Sequence, residues 1–182
     1  MRFSRSGTAV RTELDEIEVH VLSQLGEQLL SLIEPAEVSS DPLAAMVGMP
    51  PGEVHAPDDP ILSRLLPPAY GKDDAAAAEF RRYTDADLRN GKRAATQVLL
   101  ATLPTGGGAF DLDRDQVDSW LVALNDMRLA LGTSLDVSED TDLPEDLDAA
   151  ADDPGAAALA VYAWLGDVQA WLLSCVDPRP AT

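Results

Sequence analysis

The residues able to do chemistry in this 182-residue chain are few, and they are scattered. There are two histidines, His20 and His55, and one cysteine, Cys175. An isolated histidine is neither a metal site nor a general-base constellation, so both read as surface residues. Cys175 falls on an apolar stripe, where burial raises a thiol's pKa and makes it inert; its chemical alternative is a sensor thiol open to sulfenic acid or an intermolecular disulfide. Asp111, Asp113 and Asp115 have the spacing that opens a calcium loop, but Gln116 stands where the loop's glycine belongs and Val122 where its final glutamate belongs. Helix capping explains the three acids better. Thr105-Gly106-Gly107-Gly108 lacks the Gly-Lys-Ser/Thr ending and the preceding strand of a phosphate loop, and reads as a flexible connection. No catalytic residue, metal or cofactor is expected.

What remains is recognition chemistry. Six of the thirteen basic residues lie between Lys72 and Arg93, and Arg89, Arg93 and Thr96 form a stripe on one predicted helix. Asn125, Asp126 and Arg128 interrupt an otherwise apolar helix, and Arg128 borders its inner face. A guanidinium in that position needs a carboxylate or carbonyl partner, or a route to water. Together the Arg89–Arg93 stripe and the Asn125–Arg128 turn make the candidate docking surface. A small-molecule pocket near Arg128 is the alternative.

The elements that position these residues are predicted to be helices. The Thr8 to Leu14 segment alternates after Ser6-Gly7 and predicts a small N-terminal hairpin with Phe3. Asp15, with Glu18 three residues on, is a capping-box start for a helix reaching Ile33, lined by Leu22, Leu25, Leu29 and Leu32. Residues 34 to 72 carry eight prolines and read as an irregular connection, with short turns at Asp41-Pro42 and Asp59-Pro60. A helical stretch from Lys72 to Phe80 precedes a new start at Thr84 and a helix to Leu103, with Leu88, Ala95 and Leu99 inward and Gly91 at a close helix contact. Asp113 starts the next helix; Val117, Trp120, Leu121, Leu124, Met127 and Leu131 face inward, and Gly132 is its left-handed stop. Residues 134 to 153 hold nine acids and no base and read as a solvated loop with a short turn at Leu143 to Leu147. The last helix runs from Pro154 to Asp177-Pro178, with Val161, Leu165, Val168, Leu172 and Cys175 as an apolar stripe at the centre of the bundle. The fold class is therefore mainly α, a single helical domain built as a bundle of about four main helices.

Bulk properties narrow the function. The formal net charge of -19 repels nucleic-acid phosphate, which disfavours direct DNA binding and leaves protein contact as the main reading. The N-terminus, Met1 to Gly7, lacks the apolar core of a secretion signal, and no apolar run approaches the roughly 20 residues of a membrane span. A cytoplasmic location is expected. With one cysteine, no intrachain disulfide forms.

Three segments carry a resemblance: Phe80-Arg-Arg-Tyr-Thr-Asp-Ala-Asp-Leu-Arg-Asn-Gly-Lys92, Trp120-Leu-Val-Ala-Leu-Asn-Asp-Met-Arg-Leu-Ala-Leu-Gly-Thr133 and Tyr162-Ala-Trp-Leu-Gly-Asp-Val-Gln-Ala-Trp-Leu-Leu173. Together they resemble the actinobacterial AosR-like family of oxidative-stress transcriptional regulators, formerly a domain of unknown function. The resemblance implies a non-enzymatic regulator that influences transcription through protein contacts, with a sigma factor or RNA polymerase as partner. Redox sensing in that setting uses a pair of nearby cysteines, and this chain has only Cys175. Direct DNA binding and homo-oligomerisation stay open.

Overall fold

The computed structural model describes residues 2–6, 9–34, 57–69, 74–143 and 153–176. Its elements, in chain order, are β1 (Arg2–Ser6), β2 (Ala9–Leu14), α1 (Glu16–Leu32), α2 (Pro60–Leu65), α3 (Asp74–Thr102), β3 (Gly108–Leu112), α4 (Arg114–Ser134) and α5 (Pro154–Val176). The fold is mainly α with a small antiparallel sheet, as the periodicity predicts. The predicted turns at Ser6-Gly7, Asp41-Pro42 and Leu143 to Leu147, and the stop at Asp177-Pro178, lie wholly or partly outside the described residues, as does His55.

The start signals are local chemistry and act as such. Asp15 accepts from the Glu18 N–H at 2.8 Å, and Glu18 accepts from the Asp15 N–H at 2.9 Å. Asp113 and Gln116 repeat the reciprocal pair at 2.9 Å each way. Each box satisfies two helix-end groups and is worth about 1 kcal/mol. Asp59 caps α2 with Pro60 at its first position. At Thr84 the same pattern starts nothing. The Thr84 hydroxyl donates back to the Phe80 carbonyl at 3.0 Å, and Asp85 is held by Arg89, so α3 runs unbroken from Asp74 to Thr102.

The sheet has a third strand that the periodicity does not reveal. β2 is central: it pairs antiparallel with β1 and, on its other edge, with β3, where Val10 faces Leu112 and Leu14 faces Gly108. The glycine run before β3 is a shaped turn, not a flexible connection. Gly106, Gly107 and Gly108 all have positive φ, and a Cβ on Gly107 would stand 3.0 Å from the backbone of Leu14, Asp15 and Glu16. Only glycine lets β3 enter the sheet beside the α1 start.

α4 is the hub, packed against α1, α2, α3, α5 and β2. Val117, Trp120, Ala123, Leu124 and Met127 are buried on it, and Leu121 and Leu131 partly so. The Trp120 indole N–H donates to Thr102 Oγ1 at 2.8 Å, which ties α4 to the end of α3, while its ring packs on Phe110 of β3. α5, predicted to be central, lies at the side instead. It packs Ala160, Leu165, Val168 and Leu172 against α4, β1 and β2, and leaves Trp171 and Leu173 about half exposed. By length and composition α5 is long and apolar enough to cross a membrane. Asp167 and Gln169 interrupt its apolar run.

Three residue assignments also change. Gly132 is not the helix stop: α4 continues to Ser134, and the left-handed residue is Asp136 with φ 52. A Cβ on Gly132 would sit 2.8 Å from Tyr162 Cε2, so the glycine exists to let α5 approach. Gly91 has nothing within 4 Å; the close approach is made by Gly26 of α1 against Leu100 of α3. Leu88 is 41% exposed rather than inward.

Candidate functional site

The polar residues singled out in the sequence lie on α3 and α4, and they reach in different directions. Arg93 of α3 reaches α1, where its Nη1 donates to the carbonyls of Leu30, at 2.6 Å, and Ile33. These are last-turn groups of α1 with no partner inside the helix, so the guanidinium acts as a C-terminal cap. Arg89 is paired with Asp85 on its own helix at 2.6 Å, with both side chains mostly buried.

Asp126 is buried on α4 and receives the Lys92 ammonium of α3 at 2.6 Å. Burial pushes its carboxyl above the ordinary carboxylate range. Lys92 opposes that rise through its hydrogen bond and charge, and Asn125 opposes it more weakly, although no hydrogen bond of good geometry reaches Oδ2. The sequence shows Asp126 but not Lys92 as its partner, because nothing local links residues 34 apart.

Arg128 turns the other way, onto α5. Its guanidinium lies 5.2 Å from the Tyr162 ring centroid, beside Gly166, and donates to Gln169 Oε1 at 3.1 Å. Asn125 is exposed. The structure therefore brings Lys92 and Asp126 together, and sends Arg93 to α1 and Arg128 to α5. Cys175 is a free thiol, partly buried against the core, and His20 is exposed. Asp113 is a cap, and Asp111 lies 3.6 Å from Arg11. Among the described residues no group of three or more potential metal ligands converges.

Among the described residues two cavities stand out, and neither is lined by Arg128. One, of about 250 Å³, is enclosed mainly by Leu25, Leu29, Leu32, Ile61 and Met127 between α1, α2 and α4. The other, of about 260 Å³, runs between the end of α2 and the first half of α3. Leu66 and Pro67 form one wall of this groove, and Ala77, Phe80, Arg81 and Leu88 the other. Arg81 is 8% exposed, and its Nη1 has no hydrogen-bond partner. Asp85 also lines the groove, but Arg89 holds it. Sequence reasoning placed Arg81 in the basic window and did not single it out. The usable signal was its spacing from Ala77 and Leu88, four and seven residues away on one helical face.

The described residues form a capped helical domain with a small sheet, its helices joined by the part-buried cations Lys92, Arg93 and Arg128. The chain belongs to the family described as a domain of unknown function, DUF2017, which matches residues 1–176. It is 32% identical to the oxidative stress regulator AosR of Mycobacterium tuberculosis (strain ATCC 25618 / H37Rv), over 93% of this chain and 83% of the relative. It is 33% identical to a putative oxidative stress regulator AosR of Mycobacterium leprae (strain TN), over 92% of this chain and 82% of that one. No solved structure matches it.

Proposed function

We propose that this protein is a non-enzymatic, cytoplasmic regulator in the response to oxidative stress, and that it works by contact with another protein of the transcription machinery, a sigma factor or RNA polymerase. The observation that carries this reading is its likeness, across more than nine-tenths of the chain, to relatives named as oxidative stress regulators. The charge supports protein over DNA as the partner, because a net charge of -19 opposes the phosphate contacts on which DNA affinity depends. The contact surface is the α3–α4 side, where Asn125 is exposed beside the Lys92–Asp126 pair, and it extends along α3 to the exposed Phe80, Tyr83 and Leu88 at the α2–α3 groove. Arg89, Arg93 and Arg128 support this face from within by holding α3, α1 and α5 in place.

The oxidative signal does not travel through a disulfide within this chain, which has Cys175 alone. Redox input reaches the protein through the partner, or through Cys175 and a thiol of another molecule. The test is a deletion strain challenged with hydrogen peroxide. Its transcript profile should depart from the parent's and return on complementation. Identical profiles with and without the gene would end the regulatory reading.

A further inference from the structure

We infer that the groove between the end of α2 and the first half of α3 receives a short protein segment in which a carboxylate is flanked by large apolar side chains, with Arg81 as the anchor. This deepens the protein-contact reading and rests on it for the ligand being a protein. A guanidinium does not lose its charge at any physiological pH, so it cannot escape burial by deprotonating. Arg81 lines the groove and is nonetheless more than nine-tenths buried, and its Nη1 has no acceptor. A buried charged donor with no acceptor is among the costliest arrangements a fold can keep. The acid on the same wall does not relieve it, since Asp85 is engaged by Arg89 at 2.6 Å. A carboxylate matches the guanidinium fork and supplies the missing acceptor.

The rest of the groove sets what must accompany that carboxylate. Its walls are apolar, with Leu66, Pro67 and Ala77 around Arg81, and its rim leaves Phe80 44% and Leu88 41% exposed. Tyr83, on the adjacent face, is 58% exposed. Large apolar side chains gathered on one helix mark a surface that a partner covers. From Phe80 to Leu88 the rim is about 12 Å long at 1.5 Å per residue. That length fits three or four residues of extended chain at about 3.3 Å each. Charge restricts the site further. The chain as a whole repels acidic segments, whereas the stretch from Lys72 to Arg93, with six basic and five acidic residues, is close to neutral.

The test pans a random twelve-residue phage-displayed library against the full chain. Enriched sequences should pair Asp or Glu with Leu, Ile or Phe. A synthetic peptide of the consensus should shift the amide resonances of Ala77, Thr84 and Leu88. Replacing its acid by the amide, or using Arg81→Met protein, should weaken binding by about ten-fold or more, the value of one charge-assisted hydrogen bond. Leu88→Glu, on the exposed rim where folding is not at stake, should weaken it similarly by repulsion. No enrichment, enrichment of cationic sequences, equal binding of the amide peptide or resonance shifts elsewhere would each overturn the inference. So would decanoate binding more tightly than any peptide, which would make the groove a site for small amphiphiles. Because the test uses purified components, its failure leaves the peroxide result standing.

Discussion

Lys92→Met isolates the contact that joins α3 to α4. Methionine keeps the apolar length of lysine and removes the ammonium 2.6 Å from Asp126, whose side chain is only 1% exposed. Removing one partner of a buried pair costs about 3–5 kcal/mol, because the other charge is left without compensation. Lys92 is 13% exposed and Asp126 can take up a proton, so the low end applies, about 3 kcal/mol. For a chain of this length that lowers Tm by roughly 6–12 °C. Asp126→Asn leaves a lysine whose stem can carry its charge to water, and should cost about 1–2 kcal/mol. The double variant buries no charge at this point and should recover to within about 1 kcal/mol of the parent. The pH dependence has a definite sign. Burial holds the folded carboxyl above its usual 3.8, so its contribution to stability is fully present below that value and is lost as pH rises through the folded value. Lys92→Met removes what holds that value down and raises it further. The deficit should therefore be smaller at pH 5.5 than at pH 7.5, both above the pI of about 4.1 where the chain stays charged. Urea denaturation of the four proteins at both pH values measures all of this. A deficit below about 1 kcal/mol with additive effects, or one that grows in acid, would refute the reasoning.

Two glycines give opposite results in thermal melts. Gly132→Ala drives a Cβ to 2.8 Å from Tyr162 and should cost about 1–3 kcal/mol, whereas Gly91→Ala, with nothing within 4 Å, should stabilise by up to about 1 kcal/mol. Arg93→Met leaves the Leu30 and Ile33 carbonyls without their donor; it should destabilise by about 2–3 kcal/mol and speed amide exchange in the last turn of α1 ahead of the other helices. A gel shift at about 50 mM salt, where phosphate contacts are strongest, should show no complex with promoter DNA, and a salt-sensitive shift would restore DNA as the partner.

Local signals in the sequence are legible because their physics is local. Asp15 with Glu18, Asp113 with Gln116, and Asp59 before Pro60 start helices where such patterns should, and the apolar spacing of Leu22, Leu29, Leu124 and Leu165 places the core. The same logic misleads at Thr84, whose start pattern lies inside α3, where unbroken backbone bonding outweighs one cap. β3 escapes notice because its alternation is confined to Phe110, Asp111 and Leu112 at the end of a glycine run, and its place is set by the free edge of β2. Gly132 reads as a stop by type, although its neighbour 30 residues away, Tyr162, is the reason for it. The candidate site shows the same limit. Asp126 and Arg128 stand out as polar residues among apolar ones, but their partners Lys92, Tyr162 and Gln169 come from other helices. Arg81 is one arginine among several until the groove around it is seen.

The central claim is that this protein regulates by touching another protein. Co-purification of the tagged full chain from its native cell, with cross-linking mass spectrometry before and after peroxide, tests this most directly. The expected result is a sigma factor or RNA polymerase subunit cross-linked to the α3–α4 side, in amounts that change with peroxide. Recovery of the chain alone under both conditions, with no transcription component above the untagged control, would contradict it.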